Sequence, residues 1–343
     1  MSTQPKIVVL CTVSTGIDAV LEILRRGFAI EMIVGLHPTS ADPNLISGYI
    51  DVAGPATNAG IPFCYVQTYS LKADKDKVLF ENLTFDLVWV AGWQRLVPGW
   101  LISLSKLGLL GGHGSPDGIT GGRGRSPQNW ALMLGCQQFD LALFSITEGV
   151  DEGPILAERS FTYRDSDDIQ ISYYRASLAM ADMVCDLLLN PERIQQGRPQ
   201  RHLKGFYYPQ RRPEDGRVDW ALPADRIARH CRALTKPYPG LRTVEGETKV
   251  DVTIWECVPF DDVIDGYLGT ISQCFFTSEF LVNCLDGRLL VRRWSADNEH
   301  WRPKPKMSFE SLPFKDQMAT IIQRHRLKSS HQELSPRILR YEK

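Results

Sequence analysis

Leu87-Val88-Trp89-Val90-Ala91-Gly92-Trp93 begins with an unbroken apolar run, Leu87 to Val90, that predicts a buried strand and indicates the architecture of the first half of the chain. A strand that does not alternate between apolar and polar residues is buried on both faces, as in a parallel sheet covered by helices. Similar runs precede it at Ile7-Val8-Val9-Leu10, Ile30 to Gly35 and Phe63 to Val66. Helical patterns separate these runs over Ile17 to Arg26 and Tyr49 to Asn58.

The alternation of buried strands and helices predicts an α/β fold built on a doubly wound, mostly parallel sheet. In such sheets, ligands bind at the carboxyl ends of the strands. A further strand over Asp140 to Ile146 and a helix over Asp168 to Leu189 extend the pattern, and Asn190-Pro191 would end that helix. We therefore expect a first domain over residues 1–200, with Gln195 to Pro199 as a linker.

The pattern changes after Phe206, where only one helix is predicted, over Pro223 to Leu234 with the proline at its first position. Short strands follow, among them Val250 to Trp255. Asp286-Gly287 separates Phe280–Asn283 from Leu289–Val291 and predicts a hairpin. These features predict a small β-rich, open-barrel-like domain over residues 206–300. A basic tail over residues 301–343 would then contain a short helix over Pro313 to Leu327.

Composition restricts the classes of function that the chain can serve. The formal net charge of −1 argues against a nucleic-acid partner, which needs a basic face. The eight cysteines contain no CxxC pair, so neither a zinc site nor a redox dithiol is expected. The polar start Ser2 to Lys6 is unlike a signal peptide, and no run reaches the roughly 18 apolar residues of a membrane span. We expect a cytoplasmic protein with reduced cysteines, no metal and no membrane partner.

Two Gly-rich segments carry the residues with chemical potential: Gly111-Gly112-His113-Gly114-Ser115 and Glu148-Gly149-Val150-Asp151-Glu152-Gly153-Pro154. His113 is expected just past a short strand at Leu109-Leu110, and Asp151 in a loop after another strand. Such a pair could act as a base and the carboxylate that orients it. Taken singly, a histidine is more often a surface or capping residue and an Asp beside Gly is more often a turn residue.

Spaced motifs in these segments resemble the formyltransferases that use 10-formyltetrahydrofolate. The family pattern is Asn-x-His-x-Ser, then Arg-Gly-x-x-Pro, then Asp-x-Gly-Pro, and it is matched here by His113, Ser115, Arg123, Gly124, Pro127, Asp151, Gly153 and Pro154. The family includes glycinamide ribonucleotide, methionyl-tRNA and sugar N-formyltransferases. Later segments resemble the C-terminal region of the tRNA and sugar enzymes, namely Tyr207-Tyr208-Pro209, Glu214 to Trp220 and Pro237 to Gly240.

The resemblance implies an enzyme with 10-formyltetrahydrofolate as formyl donor and His113 and Asp151 as the catalytic residues. It also implies that two loops hold the folate. The first contains Gly92, Trp93, Gln94, Arg95 and Leu96, and the second contains Ser145, Ile146, Thr147, Glu148, Gly149 and Val150. Main-chain groups make many of these contacts in the family. Trp93 could therefore either stack on the ligand or pack in the core, which is the commoner role of a tryptophan.

The chain departs from the family pattern at Gly111, where the family has an asparagine. Loss of one donor to a developing oxyanion typically costs about 10²–10³ in rate. Gln94, Ser115, Asn129 or main-chain N–H groups near Gly111 could replace it.

A second departure is the distance from His113 to Arg123, which is longer than in the family. Gly118 to Gly122 fills the gap, and this segment is either a flexible turn or a loop whose amides approach a phosphate. The sequence contains no GxGxxG, so a nicotinamide cofactor lacks its usual motif.

Three interpretations of the acceptor remain open. A small-molecule amine, above all a nucleotide-linked amino sugar, is favoured by the near-neutral charge and by Glu214 to Trp220. Methionyl-tRNA fits the two-domain plan and the basic tail, but 39 basic against 40 acidic residues give no global bias towards phosphate. The third interpretation is a folate- or ligand-binding homologue in which Gly111 has impaired catalysis. Sugar-modifying members of the family are often dimers, so a homodimer is also implied.

Overall fold

The computed structural model of the protein describes residues 4–42, 46, 48–200 and 205–341. The strands are β1 (Ile7–Leu10), β2 (Met32–Leu36), β3 (Phe63–Val66), β4 (Leu87–Val90), β5 (Leu109–Ser115), β6 (Arg123–Gly124), β7 (Gln138–Ser145), β8 (Ile155–Thr162), β9 (Phe206–Tyr208), β10 (Leu241–Val244), β11 (Asp251–Asp261), β12 (Ile271–Cys274), β13 (Phe280–Cys284), β14 (Gly287–Ala296) and β15 (Glu333–Leu334). The α-helices are α1 (Ser14–Arg25), α2 (Ala53–Asn58), α3 (Asp74–Glu81), α4 (Gly99–Leu104), α5 (Gly118–Gly121), α6 (Pro127–Met133), α7 (Ile169–Leu189), α8 (Ala224–Leu234), α9 (Phe314–Lys328) and α10 (Pro336–Leu339).

Contacts between α-carbons divide the chain into two compact units made of interleaved segments. The first unit contains residues 1–120, 138–162 and 173–204, and the second contains residues 121–137, 163–172 and 205–343. Each unit has a sheet of its own and is described separately below. The sequence-based domain boundaries at residues 200 and 206 stay a prediction.

A seven-stranded sheet forms the first unit, in the order β3-β2-β1-β4-β5-β7-β8. The pairs from β3 to β5 are parallel and the last two pairs are antiparallel. All four residues of β1 are fully buried, as expected for a strand without polar alternation. The predicted bounds of β1, β3 and β4 are those of the structure. The expected doubly wound, mostly parallel sheet is therefore confirmed.

The direction of strand pairing changes at β5, and this change determines where His113 lies. β4 pairs with β5 only as far as Val90 opposite Gly111, whereas β7 pairs with β5 as far as Asp140 opposite Ser115. The expectation that His113 would follow the end of a short strand is wrong, because pairing with β7 extends β5 through Ser115. His113 nevertheless lies beyond the carboxyl end of β4, at the edge where ligands bind in such sheets.

A five-stranded antiparallel sheet forms most of the second unit, in the order β10-β11-β14-β13-β12. The hairpin predicted at Asp286-Gly287 is present between β13 and β14. Its central residues are Leu285 and Asp286, and Gly287 is the first residue of β14. Glycine is required there because a Cβ would lie 2.0 Å from the carbonyl oxygen of Asp261.

The hairpin also supports the start of α8. The sequence suggested that Pro223 is the first residue of the helix, but in the structure it is the residue before the helix. It makes no side-chain cap. Asp286 Oδ1 instead accepts a hydrogen bond of 2.8 Å from the Ala224 N–H. A carboxylate from a distant segment therefore satisfies one of the otherwise unpaired N–H groups at this helix start.

The tail beyond residue 301 packs on the second unit through the predicted helix, which is observed as α9. Arg324 on α9 forms a two-pronged ion pair with the buried carboxylate of Asp215. The Phe314 N–H at the start of α9 donates to Asp219 Oδ2 at 2.8 Å. Two carboxylates of the Glu214 to Trp220 segment thus bind α9 of the tail within this unit. The sequence alone did not reveal these contacts. Residues 342 and 343 lie outside the described part.

Five of the eight cysteines are buried and the other three are half-buried, and none forms a disulfide. Burial raises the pKa of the Cys11 thiol to about 12, so it remains protonated at neutral pH. Across the ranges described, no three His, Cys, Asp or Glu side chains are grouped as metal ligands. In the same ranges, no helix combines the length and the hydropathy needed to cross a bilayer.

We predict that Asp286→Ala lowers the free energy of unfolding by about 1 kcal/mol, the usual cost of losing a helix cap. Urea unfolding of the full chain measures the change. Asp286→Asn keeps an acceptor oxygen at the same place and should retain most of the stability. Asp262→Ala, which removes an exposed carboxylate nearby, is the control. Equal stability of Asp286→Ala and the wild type would show that the bond to Ala224 contributes nothing.

Candidate functional site

The structure brings together the two residues that the sequence selected as a catalytic pair. His113 Nδ1 on β5 lies 3.8 Å from Asp151 Oδ2 in the loop between β7 and β8. This distance is within ion-pair range but too long for a hydrogen bond. The histidine side chain is 12% exposed and the aspartate 31%, so the pair borders solvent without being fully in it.

The Asp151 loop is closed at its base by very tight main-chain packing. The Ser145 N–H donates to the Pro154 carbonyl at 3.0 Å. A Cβ on Gly153 would lie only 1.6 Å from the carbonyl oxygen of Ser145, so no other residue fits at that position. This close approach explains in steric terms why the Asp-x-Gly-Pro motif has a glycine at this position. It allows the chain to turn back directly after the carboxylate.

The loop after β4 begins at Gly92, which has a left-handed backbone with φ of 85°. A Cβ there would lie 2.1 Å from Val13 Cγ2. The hydroxyl of Thr12 donates to the Gly92 carbonyl at 3.0 Å. The segment after β1 therefore fixes the first turn of this predicted folate loop.

Trp93 and Gln94 are held by Tyr69, a residue that the sequence analysis did not single out. The Trp93 indole is 6% exposed and donates to the Tyr69 carbonyl at 3.1 Å. The Gln94 N–H donates to the Tyr69 hydroxyl at 2.7 Å. Trp93 thus packs in the core, which was the commoner of its two expected roles. No sequence signal marked Tyr69, because its contacts depend on the fold.

The two predicted folate loops lie side by side. Glu148 Oε1 is 3.6 Å from the position of a Cβ on Gly99, the first residue of α4. The Ile146 side chain packs in the same apolar cluster as Trp93, and its N–H donates to the Leu109 carbonyl at 2.8 Å. The two loops therefore flank β5, the strand that carries His113.

Each of these loops exposes an apolar side chain. Leu96 is 64% exposed and Val150 is 49% exposed. Arg95 is exposed beside Leu96, and its guanidinium lies 5.3 Å from the centre of the Tyr69 ring. Thr147 and Glu148 are also exposed, and Gly149 is half-buried. The two loops thus present both apolar and polar groups to solvent.

Space at Gly111, where the family pattern has asparagine, is already filled. A Cβ on Gly111 would lie 2.9 Å from Ile146 Cγ1 and 3.0 Å from the Phe144 ring. The Phe144 ring on β7 and the Ile146 side chain just after β7 occupy the volume that an asparagine would need. An asparagine at this position would therefore require these two side chains to move.

The three residues considered as replacements for that donor lie in different surroundings. Ser115 is fully buried at the end of β5, and its hydroxyl accepts from the Asp117 N–H at 3.1 Å. Gln94 is half-buried in the loop after β4. Asn129 is 1% exposed on α6 of the second unit, where its amide donates to the Ala233 carbonyl at 2.6 Å. Ser115 and Asn129 thus make structural hydrogen bonds within their own units.

The Arg-Gly-x-x-Pro motif shapes the second unit. Arg123 and Gly124 form β6, which pairs with β9, and a Cβ on Gly124 would lie 2.4 Å from the Tyr208 carbonyl oxygen. Pro127 begins α6. The segment at Gly118 to Gly122 is not the loop that the sequence suggested, because Gly118–Gly121 form the single turn α5 with Ile119 buried.

Gln200, just after the predicted linker, was also missed. Its side-chain amide nitrogen donates to the carbonyls of Asp151 and Gly153, each at 2.8 Å. Gln200 lies outside the spaced motifs of the family pattern, and a neutral amide next to a linker carries no sequence signal of its own. Gln200 contacts the loop that carries the candidate carboxylate.

Comparison with known proteins supports the resemblance found in the sequence. Residues 211–300 match the family described as formyl transferase, C-terminal domain. This range contains α8 and the five-stranded antiparallel sheet, so the match falls on the β-rich part of the second unit.

Similar folds occur among solved structures. HypX from Aquifex aeolicus in complex with tetrahydrofolic acid has a TM-score of 0.59 at 18% identity, over 94% of this chain. An N-formyltransferase from Helicobacter canadensis in complex with folinic acid and dTDP-3-aminofucose has a TM-score of 0.54 at 16% identity, over 84% of this chain and 99% of that one. The sugar 3N-formyl transferase WlaRD has a TM-score of 0.53 at 13% identity, over 85% and 98%.

The chain spans about half the length of HypX, of which 48% is covered, but nearly all of the two sugar enzymes. At these identities the likeness concerns the fold. Together with the match over residues 211–300, it confirms the expected fold class. The chain therefore has the fold of the formyltransferases, and its residues 211–300 match the family of formyl transferase C-terminal domains.

Proposed function

We propose that the protein is an N-formyltransferase that moves a formyl group from 10-formyltetrahydrofolate to an amine of a small molecule. The observation that carries the proposal is the His113–Asp151 pair at 3.8 Å, at the carboxyl edge of a parallel sheet. The formyltransferase fold and the C-terminal domain match support it.

The exposed groups of the two loops suit a reduced folate. A pterin is a flat ring with polar edges, and ligand sites typically combine apolar walls with a few polar groups that set orientation. Leu96 and Val150 offer apolar surface, and the main chain of both loops offers donors and acceptors. Arg95 could pair with a carboxylate on the glutamate part of the ligand. When bound, 10-formyltetrahydrofolate supplies the formyl carbon.

His113 has the role of moving protons in this proposal. The attacking amine must be uncharged and loses a proton during transfer, while N10 of the departing tetrahydrofolate gains one. A positioned imidazole can accept the first proton and donate the second. Because Nδ1 faces Asp151, we assign the proton exchange with the reacting groups to Nε2. Once protonated, the ring can also donate a hydrogen bond to the negative charge that develops during transfer.

Asp151 orients the imidazole and stabilises its positive charge. A carboxylate 3.8 Å from Nδ1 interacts more strongly with a protonated than with a neutral ring. A decrease of about 1 Å in this distance would bring the two groups within hydrogen-bond range. Catalytic hydrogen bonds are often longer without ligand and shorten when substrate binds.

For the acceptor, we propose an amine on a nucleotide-linked sugar. The near-neutral net charge of −1 supports a small molecule over a tRNA, which needs many cationic contacts. The two sugar enzymes match over nearly their whole length; one is in complex with dTDP-3-aminofucose and the other was solved in the presence of dTDP. We further propose that the protein acts in the cytoplasm, where reduced folates and sugar nucleotides are available.

Turnover with defined amines tests this proposal. The purified full chain is incubated with 10-formyltetrahydrofolate and dTDP-3-aminofucose, and tetrahydrofolate formation is followed by absorbance. We expect turnover with the amino sugar and none with methionyl-tRNA. Turnover with methionyl-tRNA alone would support the tRNA interpretation instead. Tight folate binding without turnover on any amine would support the catalytically impaired homologue and contradict the proposal.

Substitution of the histidine tests its role in proton transfer. We predict that His113→Ala lowers kcat by at least about 10², the usual size of an acid–base contribution. Folate affinity, measured by calorimetry, should change little because the predicted folate contacts come from the two loops. His300→Ala removes a side chain that is 86% exposed and serves as the matched control. Unchanged turnover in His113→Ala would show that the site is misplaced.

Restoring the family asparagine should harm this protein. We predict that Gly111→Asn destabilises the chain by about 1–3 kcal/mol, the range found for overpacked cores, because its Cβ meets Ile146 and Phe144. Thermal unfolding and turnover are measured together. Gly111→Asn combined with Phe144→Ala should recover part of the stability. A stable and faster Gly111→Asn single variant would show that the position had room for the missing donor.

A further inference from the structure

The position of the Asp151 carboxylate depends on the turn that carries it. Asp151 has a left-handed backbone with φ of 51°, a conformation that is uncommon outside glycine but that aspartate adopts more readily than most residues. Its side chain is 31% exposed, so burial alone does not hold it in place. The 3.8 Å separation from His113 depends on the path of this turn. A group that holds the backbone of residues 151–153 therefore also sets this separation.

A segment that precedes Gln200 lies directly against this turn. Arg198 and Ile155 exchange two main-chain hydrogen bonds, each of 2.8 Å, as an isolated antiparallel bridge. A Cβ on Gly197 would lie 2.6 Å from Pro154 Cβ, so only glycine allows this approach. The predicted linker at Gln195 to Pro199 thus packs against Pro154 and Ile155, where the Asp151 loop ends.

Gln200 completes the contact with two hydrogen bonds from one nitrogen. Its Nε2 donates to the carbonyl oxygens of Asp151 and Gly153, both at 2.8 Å, and the residue is 9% exposed. A carboxamide provides two N–H donors, one for each carbonyl. Loss of either bond would deprive a carbonyl oxygen of this donor at a cost in free energy, so the two bonds favour the conformation of the turn seen here.

We propose that Gln200 is a positioning residue for the formyl-transfer reaction, which fixes the Asp151 turn so that its carboxylate faces His113. The inference rests on the proposed function for its catalytic consequence. Gln200 does not touch the imidazole in this account, and it acts only through the backbone of residues 151 and 153. A displaced reacting group can cost about 10²-fold in rate, so a clamp of this kind affects kcat more than binding.

A double-mutant cycle separates positioning from general stability. Gln200→Met keeps the length of the side chain and removes both donors. With dTDP-3-aminofucose as the acceptor, we expect Gln200→Met to lower kcat by about ten- to hundredfold with little change in either KM. In the Asp151→Asn background the same substitution should cost less than about twofold, because the carboxylate that it positions is gone. Gln195→Met, an exposed neighbour, is the matched control.

Equal losses from Gln200→Met in both backgrounds would overturn the positioning role while leaving the proposed function intact. Unchanged turnover in Asp151→Asn alone would instead contradict the assignment of the carboxylate. Amide hydrogen exchange of the peptide covering residues 146–154 tests the clamp without any substrate. We expect faster exchange there in Gln200→Met and no change in Gln195→Met. Identical exchange in Gln200→Met and the wild type would overturn the inference, whatever the acceptor.

Discussion

The antiparallel pairing of β7 with β5 is the interaction on which the candidate site depends. Without β7, the parallel sheet would end at β5, which pairs with β4 only over Leu109 to Gly111, and His113 would lie outside the paired part of the strand. Pairing with β7 extends β5 through Ser115 and places His113 opposite Ala142. The same pairing brings the start of the β7–β8 loop beside Leu110, so Asp151 and His113 come from segments that share one hydrogen-bond ladder.

Small residues around this ladder allow the main chain to approach closely where the chemistry is proposed. Gly153 lets the Asp151 turn close against Ser145, and Gly92 lets the loop after β4 close against Val13. Gly111 differs from Gly153, because side chains rather than backbone fill the space beside it. The Ile146 and Phe144 side chains there leave little room for the asparagine of the family pattern.

The sequence predicted the strands well where the signal was local. β3 has the predicted bounds because its run lies between Pro62 and Gln67, and β4 because its run follows Asp86 and meets the small residues Ala91 and Gly92. The sequence predicted that His113 follows a strand, because the glycines on both sides of it weaken the local strand signal. In the structure His113 lies inside β5, because pairing with β7 extends the strand past these glycines. Tyr69 and Gln200 could not be found from the sequence, since a phenol or a carboxamide becomes a brace only when a distant carbonyl or amide is placed beside it. The motif residues His113 and Asp151 were selected by resemblance, and their proximity is a result of the fold.

The most direct test of the central claim is a crystal structure of the protein with folinic acid, a stable formylated folate. The account predicts that the pterin lies between the loop after β4 and the β7–β8 loop, near Leu96 and Val150. It also predicts that His113 Nε2 points at the ligand while Nδ1 is within hydrogen-bond distance of Asp151. A ligand bound elsewhere, or His113 and Asp151 turned away from it and from each other, would contradict the account.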